Sequence, residues 1–121
     1  MNILLAEDIY PKLMYLQRLL TAEGHRVVGT ANGEEAIAAA SRETFELIVT
    51  DFHMPKMSGL EVIRTLRARG IHTPIIVCSE DMDRIAIKEC MNAGAMAFLR
   101  KPFAPRKLLS LVEQIDRQNG S

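Results

Sequence analysis

The sequence predicts an α/β fold in which five strands and five helices alternate, (βα)5, and form one doubly wound parallel sheet with strand order 2-1-3-4-5. Two observations predict it. Short runs rich in Ile, Val and Leu alternate with segments that have the apolar spacing of helices. Two runs, "LIVT" (47–50) and "PIIVC" (74–78), are apolar throughout, which is typical of strands buried on both faces of a parallel sheet. Five strands are too few for an eight-stranded barrel, so the open sheet is preferred.

The remaining three strands are assigned from shorter or more mixed runs. "NILLA" (2–6) is predicted as the first strand and "AFL" (97–99) as the fifth. "RVVGT" (26–30) mixes apolar and polar residues, which favours an edge position in the sheet. All of these runs are too short to be helices.

The segments between the strands carry signals for helix ends. Pro11 suits a first helical turn, and Ser58 is a suitable N-cap. Gly70 and Gly94 follow the third and fourth helices, where glycine commonly ends a helix. The predicted helices cover 11–23, 33–42, 58–69, 82–93 and 105–118.

The apolar spacing also predicts which side chains are buried. In the fourth helix, Ile85, Cys90 and Met91 are expected to face the core. Cys78 lies in an apolar strand, and neither cysteine belongs to a CxxC spacing. We therefore expect two reduced, buried thiols in a cytoplasmic protein rather than a disulfide or a metal site.

The composition narrows the classes of function. The 121 residues suit one domain spanning 1–121, with 15 basic and 15 acidic side chains and no formal net charge. That balance argues against broad binding to nucleic acid or to an anionic membrane. No apolar run has the length of a membrane span, and the N-terminal residues do not resemble a signal peptide.

Charged and polar residues gather where the predicted strands end. In a doubly wound sheet these ends meet at one edge, near the switch point between the first and third strands. The first strand is followed by Glu7 and Asp8, the third ends at Asp51, the fourth is followed by Ser79, Glu80 and Asp81, and the fifth by Arg100, Lys101 and Pro102.

This set favours phosphoryl chemistry. Clustered carboxylates repel one another and require a cation or a proton at neutral pH. Oxygen ligands in an open site suit Mg²⁺, which shares its coordination with phosphate. Asp51, between the acidic pair and Lys101, has the position of a nucleophile that forms an aspartyl phosphate, and Ser79 can donate to a phosphoryl oxygen.

Four motifs in this order resemble the receiver domain of two-component response regulators of the chemotaxis type. They are "AED" (6–8), "DFHMPKMSG" (51–59), "IIVCSE" (75–80) and "FLRKPF" (98–103). The similarity covers about residues 2–118 and implies a flavodoxin-like sheet. Each motif is weak alone, but the four together at successive strand ends are specific.

The resemblance implies a phosphoacceptor and a metal site. Asp51 would accept the phosphoryl group, and Asp8 and Asp51 would ligate Mg²⁺ directly. Glu7, where Asp is commoner in the family, would act through water, and the backbone carbonyl of His53 would be a further ligand. Mn²⁺ is expected to substitute for Mg²⁺.

The resemblance also implies a switch. Lys101 would contact the phosphoryl oxygens, with a cis bond to Pro102. Ser79 would move toward the phosphate, and Phe98 would turn inward behind it. The face formed by 82–118 would then repack and be recognised by a downstream effector.

Three residues are expected to tune the phosphorylated state. His53 and Asp81 occupy the positions that flank the attacking water in the family, so we hypothesise that they set its lifetime. Glu80 stands where a small residue is common, and its longer acidic side chain is expected to narrow access to Asp51 or to repel a phosphodonor.

The expected partner is a histidine kinase or a histidine phosphotransfer protein that carries a phosphohistidine. The chain would catalyse only its own phosphorylation and dephosphorylation, so it is not expected to be an enzyme with turnover. A monomer or a weak homodimer is expected, with no nucleic acid or membrane partner.

Other interpretations stay open. A pseudo-receiver would act as an interaction module without phosphorylation. Glu80 is consistent with that alternative because its side chain could obstruct access to Asp51. A phosphohydrolase of the haloacid dehalogenase type needs an Asp where His53 stands, and a nucleotide binder needs a phosphate-cradling first loop in place of "EDIYPK". Taken singly, Asp8 could be a helix N-cap and Lys101 a solvated surface residue.

Overall fold

The strands and helices alternate as the sequence predicts. The computed structural model describes residues 1–80 and 83–120. The elements are β1 Asn2–Ala6, α1 Tyr10–Ala22, β2 Arg26–Thr30, α2 Gly33–Arg42, β3 Leu47–Asp51, α3 Gly59–Ala68, β4 Ile75–Ser79, α4 Arg84–Ala93, β5 Ala97–Arg100 and α5 Pro105–Gly120. Relative to the prediction, β3 and β5 extend one residue further, and β4 is displaced by one residue so that it ends at Ser79.

The five strands form one parallel sheet in the order β2-β1-β3-β4-β5, which confirms the predicted topology. All four strand pairs are parallel. The central strands β3 and β4 are buried almost throughout, whereas in β2 only Thr30 is buried. The apolar runs of β3 and β4 therefore correspond to burial on both faces, and the mixed run of β2 to an edge strand.

Two apolar clusters lie on the two faces of the sheet. One contains Val62 and Leu66 of α3 with Cys90 of α4, and it includes side chains of α2. The other contains Leu16 of α1 and Leu108 of α5. The helices α1 and α5 thus cover one face and α2, α3 and α4 the other, so alternate side chains of each central strand are buried in different clusters.

The predicted inward face of α4 is wrong at two of its three residues. Cys90 is fully buried, but Ile85 is 69% exposed and Met91 is 42% exposed. At 3.6 residues per turn, residues five apart are about 140° apart and adjacent residues about 100° apart, so these three side chains do not share a face. The helix also begins later than predicted, because the Asp83 side chain caps it by accepting a hydrogen bond from the Ile85 amide.

Other local predictions are confirmed. Cys78 and Cys90 are free and buried. Ser58 caps α3 in a capping box with Glu61, and Gly94 caps α4 in the left-handed conformation with φ 118°. Within the described part of the chain, no helix has both the length and the hydrophobicity that a membrane crossing requires.

Candidate functional site

Three carboxylates meet at the carboxyl edge of the sheet. Glu7 directly follows β1, and its amide donates to the Thr30 carbonyl oxygen of the neighbouring β2 at 3.0 Å. Asp51 is the last residue of β3, on the other side of β1. One carboxylate oxygen from each of Glu7, Asp8 and Asp51 lies within 4.8 Å of the others. The sequence prediction that these strand ends converge is therefore confirmed.

The backbone around Asp51 is held from both sides. The Phe52 amide donates to the Cys78 carbonyl oxygen at 2.8 Å, which continues the β3–β4 pairing beyond Asp51. The Gly59 amide donates to the Phe52 carbonyl oxygen at 2.7 Å. A Cβ on Gly59 would lie 2.7 Å from the Asp51 carbonyl oxygen, so α3 begins this close to the strand only because residue 59 is glycine. The Thr50 hydroxyl donates to the same carbonyl oxygen at 3.0 Å.

Lys101 joins two of the carboxylates. Its Nζ lies 2.6 Å from Asp51 Oδ1 and 3.1 Å from Glu7 Oε1. The side chains of Lys101, Asp51 and Glu7 are only 13%, 11% and 2% exposed. The Lys101 amide donates to the Ser79 carbonyl oxygen at 2.8 Å, and the bond from Lys101 to Pro102 is cis, as the resemblance implied. Lys101 is therefore a partner inside the site and not a solvated surface lysine.

The pKa directions of Glu7 and Lys101 reflect burial and the close charges of the site. Burial, together with the charge of Asp51, raises the pKa of Glu7 above its ordinary value, although Lys101 opposes this shift. Burial alone would lower the pKa of Lys101, but its hydrogen bond to Asp51 and the charges of Asp51 and Glu7 outweigh burial and raise it. Among the described residues, Lys101 contacts two of the three clustered carboxylates, Glu7 and Asp51.

The donor set fits a divalent cation. Carboxylate oxygens are hard ligands, and their spacing leaves them close enough to share one ion. A second cationic charge would offset the repulsion that Lys101 leaves uncompensated. Asp8 is available for this role because α1 is capped by Ile9, whose side chain makes no capping bond. The alternative interpretation of Asp8 as a helix N-cap is therefore wrong.

Ser79 and Phe98 lie on neighbouring strands behind the site. Ser79 ends β4 and is 2% exposed. Phe98 lies on β5 opposite Val77 in register, and it is half-buried against the cluster that contains Val77. Their roles as a switch stay predictions.

The residues expected to tune the site lie around its opening. A cavity of about 180 Å³ is lined by Asp8, Ile9, Lys12, Asp51, His53, Glu80 and Lys101. His53 is exposed and meets the Phe52 ring edge-on, with ring centroids 4.8 Å apart. Asp81, which we expected to act with His53, lies outside the described residues.

Sequence reasoning missed Lys12. Its Nζ lies 3.7 Å from Glu80 Oε1, so a cation stands beside the acidic residue that was expected to obstruct access. The available signal was its place in the first turn of α1, directly after the end of β1, where a helical side chain points back toward the helix N-terminus.

The comparisons with known proteins agree with this geometry. A family model described as the response regulator receiver domain matches residues 3–113. The chain belongs to the response regulator receiver family. Receiver domains of two-component systems interact with histidine kinases and with effector domains.

This receiver domain is similar to parts of longer curated proteins. It is 39% identical over 119 residues to the sensory/regulatory protein RpfC of Xanthomonas campestris, covering 95% of the chain and 16% of RpfC. It is 30% identical over 119 residues to the cell cycle transcriptional regulator CtrA of Caulobacter vibrioides, covering 98% of the chain and 52% of CtrA. The chain thus spans about a sixth of one relative and about half of the other.

A solved receiver domain gives a structural comparison. The receiver domain of the sensor histidine kinase PA1611 from Pseudomonas aeruginosa has a TM-score of 0.84 and 30% sequence identity, over 99% of this chain and 98% of that one. That structure has a magnesium ion coordinated in its active-site cleft.

Proposed function

We propose that this receiver domain accepts a phosphoryl group on Asp51 from a phosphohistidine of a kinase or a phosphotransfer protein. The observation that carries the proposal is the contact of 2.6 Å between Lys101 Nζ and Asp51 Oδ1 beside two further carboxylates. A cation fixed against the acceptor oxygen and an acidic set suited to Mg²⁺ both favour phosphoryl transfer to a carboxylate, because they stabilise the charge on the transferred oxygens.

The proposed transfer exchanges one bond for another. An Asp51 carboxylate oxygen attacks the phosphorus, and the bond from phosphorus to the imidazole nitrogen of the donor breaks. The electron pair of that bond returns to the imidazole, and Asp51 becomes an acyl phosphate. Lys101, already within hydrogen-bond distance of Asp51, then neutralises part of the charge on the transferred oxygens.

The proposed metal site consists of Asp8 and Asp51 as direct ligands, Glu7 through water and the backbone carbonyl of His53. The bound ion would supply positive charge to the phosphoryl oxygens as they approach Asp51. Support comes from the clustering of the three carboxylates and from the magnesium ion in the cleft of the similar PA1611 domain. Mn²⁺ prefers the same hard ligands and is expected to substitute.

The proposed output is a change in the face formed by 82–118, of which 83–118 lies within the described residues. The acyl phosphate would attract Ser79, and Phe98 would repack into the space behind it. Ile85 and Met91, exposed on α4, would belong to the surface that an effector contacts. We also propose that the chain modifies only itself and turns over no separate substrate.

The test is phosphorylation followed by intact mass. The protein is incubated with acetyl phosphate or with a phosphorylated histidine domain, with Mg²⁺ or with EDTA, beside Asp51→Asn. Asp116→Asn in α5 is the matched control. One added phosphoryl group that requires Mg²⁺ and Asp51 is expected. An unmodified chain with both donors would contradict the proposal and favour the pseudo-receiver, whereas unchanged modification of Asp51→Asn would place the acceptor elsewhere.

A further inference from the structure

An exposed ion pair lines the cavity that contains Asp51. Lys12 projects from α1 and Glu80 follows β4, and their charged atoms are 3.7 Å apart. Both side chains are substantially exposed, at 47% and 72%. Such an exposed pair contributes little to the stability of a fold. Its main effect is therefore expected to be electrostatic, on charged groups that approach the opening.

The same pair lines two cavities, and Lys101 lines both as well. The cavity of about 180 Å³ contains Asp51. The second is a groove of about 520 Å³ whose apolar part includes Tyr15, Leu16 and Phe103. Lys12 and Glu80 line both spaces. Any group that reaches Asp51 through this opening therefore passes close to both charges.

The charges inside the opening make the pair consequential. Of the described residues, three carboxylates and Lys101 lie within, so this set attracts cations and repels anions. Glu80 adds a further negative charge at the entrance, where it would oppose an approaching phosphate dianion. Lys12 stands within ion-pair distance of Glu80 and offsets that charge.

We propose that Lys12 and Glu80 are specificity-determining residues, whose mutual neutralisation sets how readily a small phosphate dianion, as opposed to a divalent cation, reaches Asp51. This inference rests on the proposed phosphorylation of Asp51. Removing Lys12 exposes the charge of Glu80, which slows anionic donors and strengthens cation binding. Removing the charge of Glu80 leaves Lys12 to attract the donor and to weaken cation binding.

The test compares Lys12→Gln, Glu80→Gln and the double variant. With acetyl phosphate at low salt, we expect Lys12→Gln to be about threefold slower and Glu80→Gln about threefold faster than the parent protein. The double variant returns near the parent rate, and high salt removes the differences. Mg²⁺ affinity is measured by calorimetry without any donor. We expect tighter Mg²⁺ binding in Lys12→Gln, the slower variant, and weaker Mg²⁺ binding in Glu80→Gln, the faster one.

Two controls separate charge from fold and from size. Glu43→Gln removes the same charge from the exposed Arg26–Glu43 pair, where β2 begins and α2 ends, and is expected to leave both readouts unchanged. Glu80→Ala removes charge and volume together. If Glu80→Ala accelerates the reaction and Glu80→Gln does not, Glu80 acts by size and the inference is wrong.

The remaining outcomes also decide it. Single variants that change the acetyl phosphate rate in the same direction, or that leave the rate and Mg²⁺ affinity unchanged while the parent protein is phosphorylated, overturn this inference alone. A parent protein that accepts no phosphoryl group from acetyl phosphate or a phosphohistidine domain overturns the proposed function and the inference with it. Opposite changes in the single variants that cancel in the double variant support it.

Discussion

Glu7→Gln is expected to stabilise the metal-free protein. Glu7 is 1% exposed, and within the described part of the chain it lies close to two other carboxylates and pairs with Lys101. Glutamine keeps the size of the side chain and an oxygen that accepts a hydrogen bond from Lys101. The substitution therefore tests whether the negative charge of Glu7 is a net cost to the folded state.

The magnitude follows from the distances. At an effective dielectric constant of about 20, the repulsion between Glu7 and another carboxylate at the limiting distance of 4.8 Å is about 3.5 kcal/mol. Asp8 and Asp51 each repel Glu7 by this amount. The attraction to Lys101 at 3.1 Å returns about 5 kcal/mol. A weak hydrogen bond from the Ile9 amide, at 3.4 Å, is also lost. We expect a net gain of about 1 kcal/mol, or about 4 °C in the unfolding temperature.

The pH dependence gives an internal check. The pKa of Glu7 is raised above 4.5 in the folded protein, chiefly by burial. Protonated Glu7 therefore stabilises the folded protein. This stabilisation is fully present below pH 4.5, the ordinary pKa of the side chain, and is lost as the pH rises through the raised pKa of the folded protein. Glutamine resembles the protonated form at every pH, so the advantage of Glu7→Gln should be small near pH 4 and largest at neutral pH.

The gain in stability of Glu7→Gln and its dependence on pH are both measured by urea and thermal unfolding in EDTA between pH 4 and pH 8. The matched control is Glu46→Gln, which removes an exposed carboxylate that also accepts a backbone hydrogen bond, at 2.9 Å from the Asn2 amide. Mg²⁺ should stabilise the parent protein more than Glu7→Gln, because the variant lacks one negative charge that favours the ion. If Glu7→Gln is less stable than the parent at neutral pH without metal, the attraction to Lys101 dominates and the reasoning is refuted.

Three further predictions concern stability and reactivity. Lys101→Met should cost about 3 kcal/mol in metal-free urea unfolding, because it leaves buried carboxylates without their cation, and Mg²⁺ should restore part of the loss; an unchanged midpoint would contradict the ion-pair geometry. Gly59→Ala should cost about 1–3 kcal/mol in the same assay, since its Cβ would meet the Asp51 carbonyl oxygen at 2.7 Å, and wild-type stability would show that the backbone relaxes freely. The Cys78 and Cys90 thiols should resist a disulfide reagent at pH 8 until urea unfolds the chain, because burial raises the pKa of both, that of Cys78 to about 12; rapid modification of the native protein would contradict this.

The sheet was predictable because its signal is local. The run of β3 is apolar from Leu47 to Val49 and that of β4 from Ile75 to Cys78, without alternation, so neither register nor partner had to be known. Once the strands were assigned, the convergence of Asp51 with Lys101 followed from topology alone, although Lys101 is 94 residues away from its other partner, Glu7. Strand ends in a parallel sheet meet whatever the length of chain between them.

The face of α4 was not predictable in the same way. Its two exposed apolar residues, Ile85 and Met91, lie on other sides of the helix from Cys90, the only residue buried within it. Apolar composition indicated a core helix, but the spacing of Ile85 and Met91 from Cys90 does not define one stripe. The capping role of Asp83 was present in the sequence and gave the better helix start.

The pairing of Lys12 with Glu80 was also beyond sequence reasoning, for a different reason. The two residues belong to a helix and to the segment after another strand, and the distance between side chains at such positions depends on how α1 packs against the sheet. Sequence reasoning identified Glu80 as an obstruction because it considered that residue alone. Beside Lys12, the same carboxylate has a compensating charge, so its effect on a donor depends on the pair.

The buried and exposed charges of this site therefore have separable consequences. Lys101, Asp51 and Glu7 are largely removed from solvent, so changes among them alter stability, metal affinity and the acceptor itself. Lys12 and Glu80 are exposed, so substitutions there leave the stability of the fold nearly constant and alter the approach of phosphodonors and cations to Asp51. Salt distinguishes the two groups, because it screens exposed charges much more than buried ones. If the effect of a Glu80 substitution on the phosphorylation rate did not depend on salt, Glu80 would act like the largely buried residues Lys101, Asp51 and Glu7. That result would disagree with its exposure of 72%.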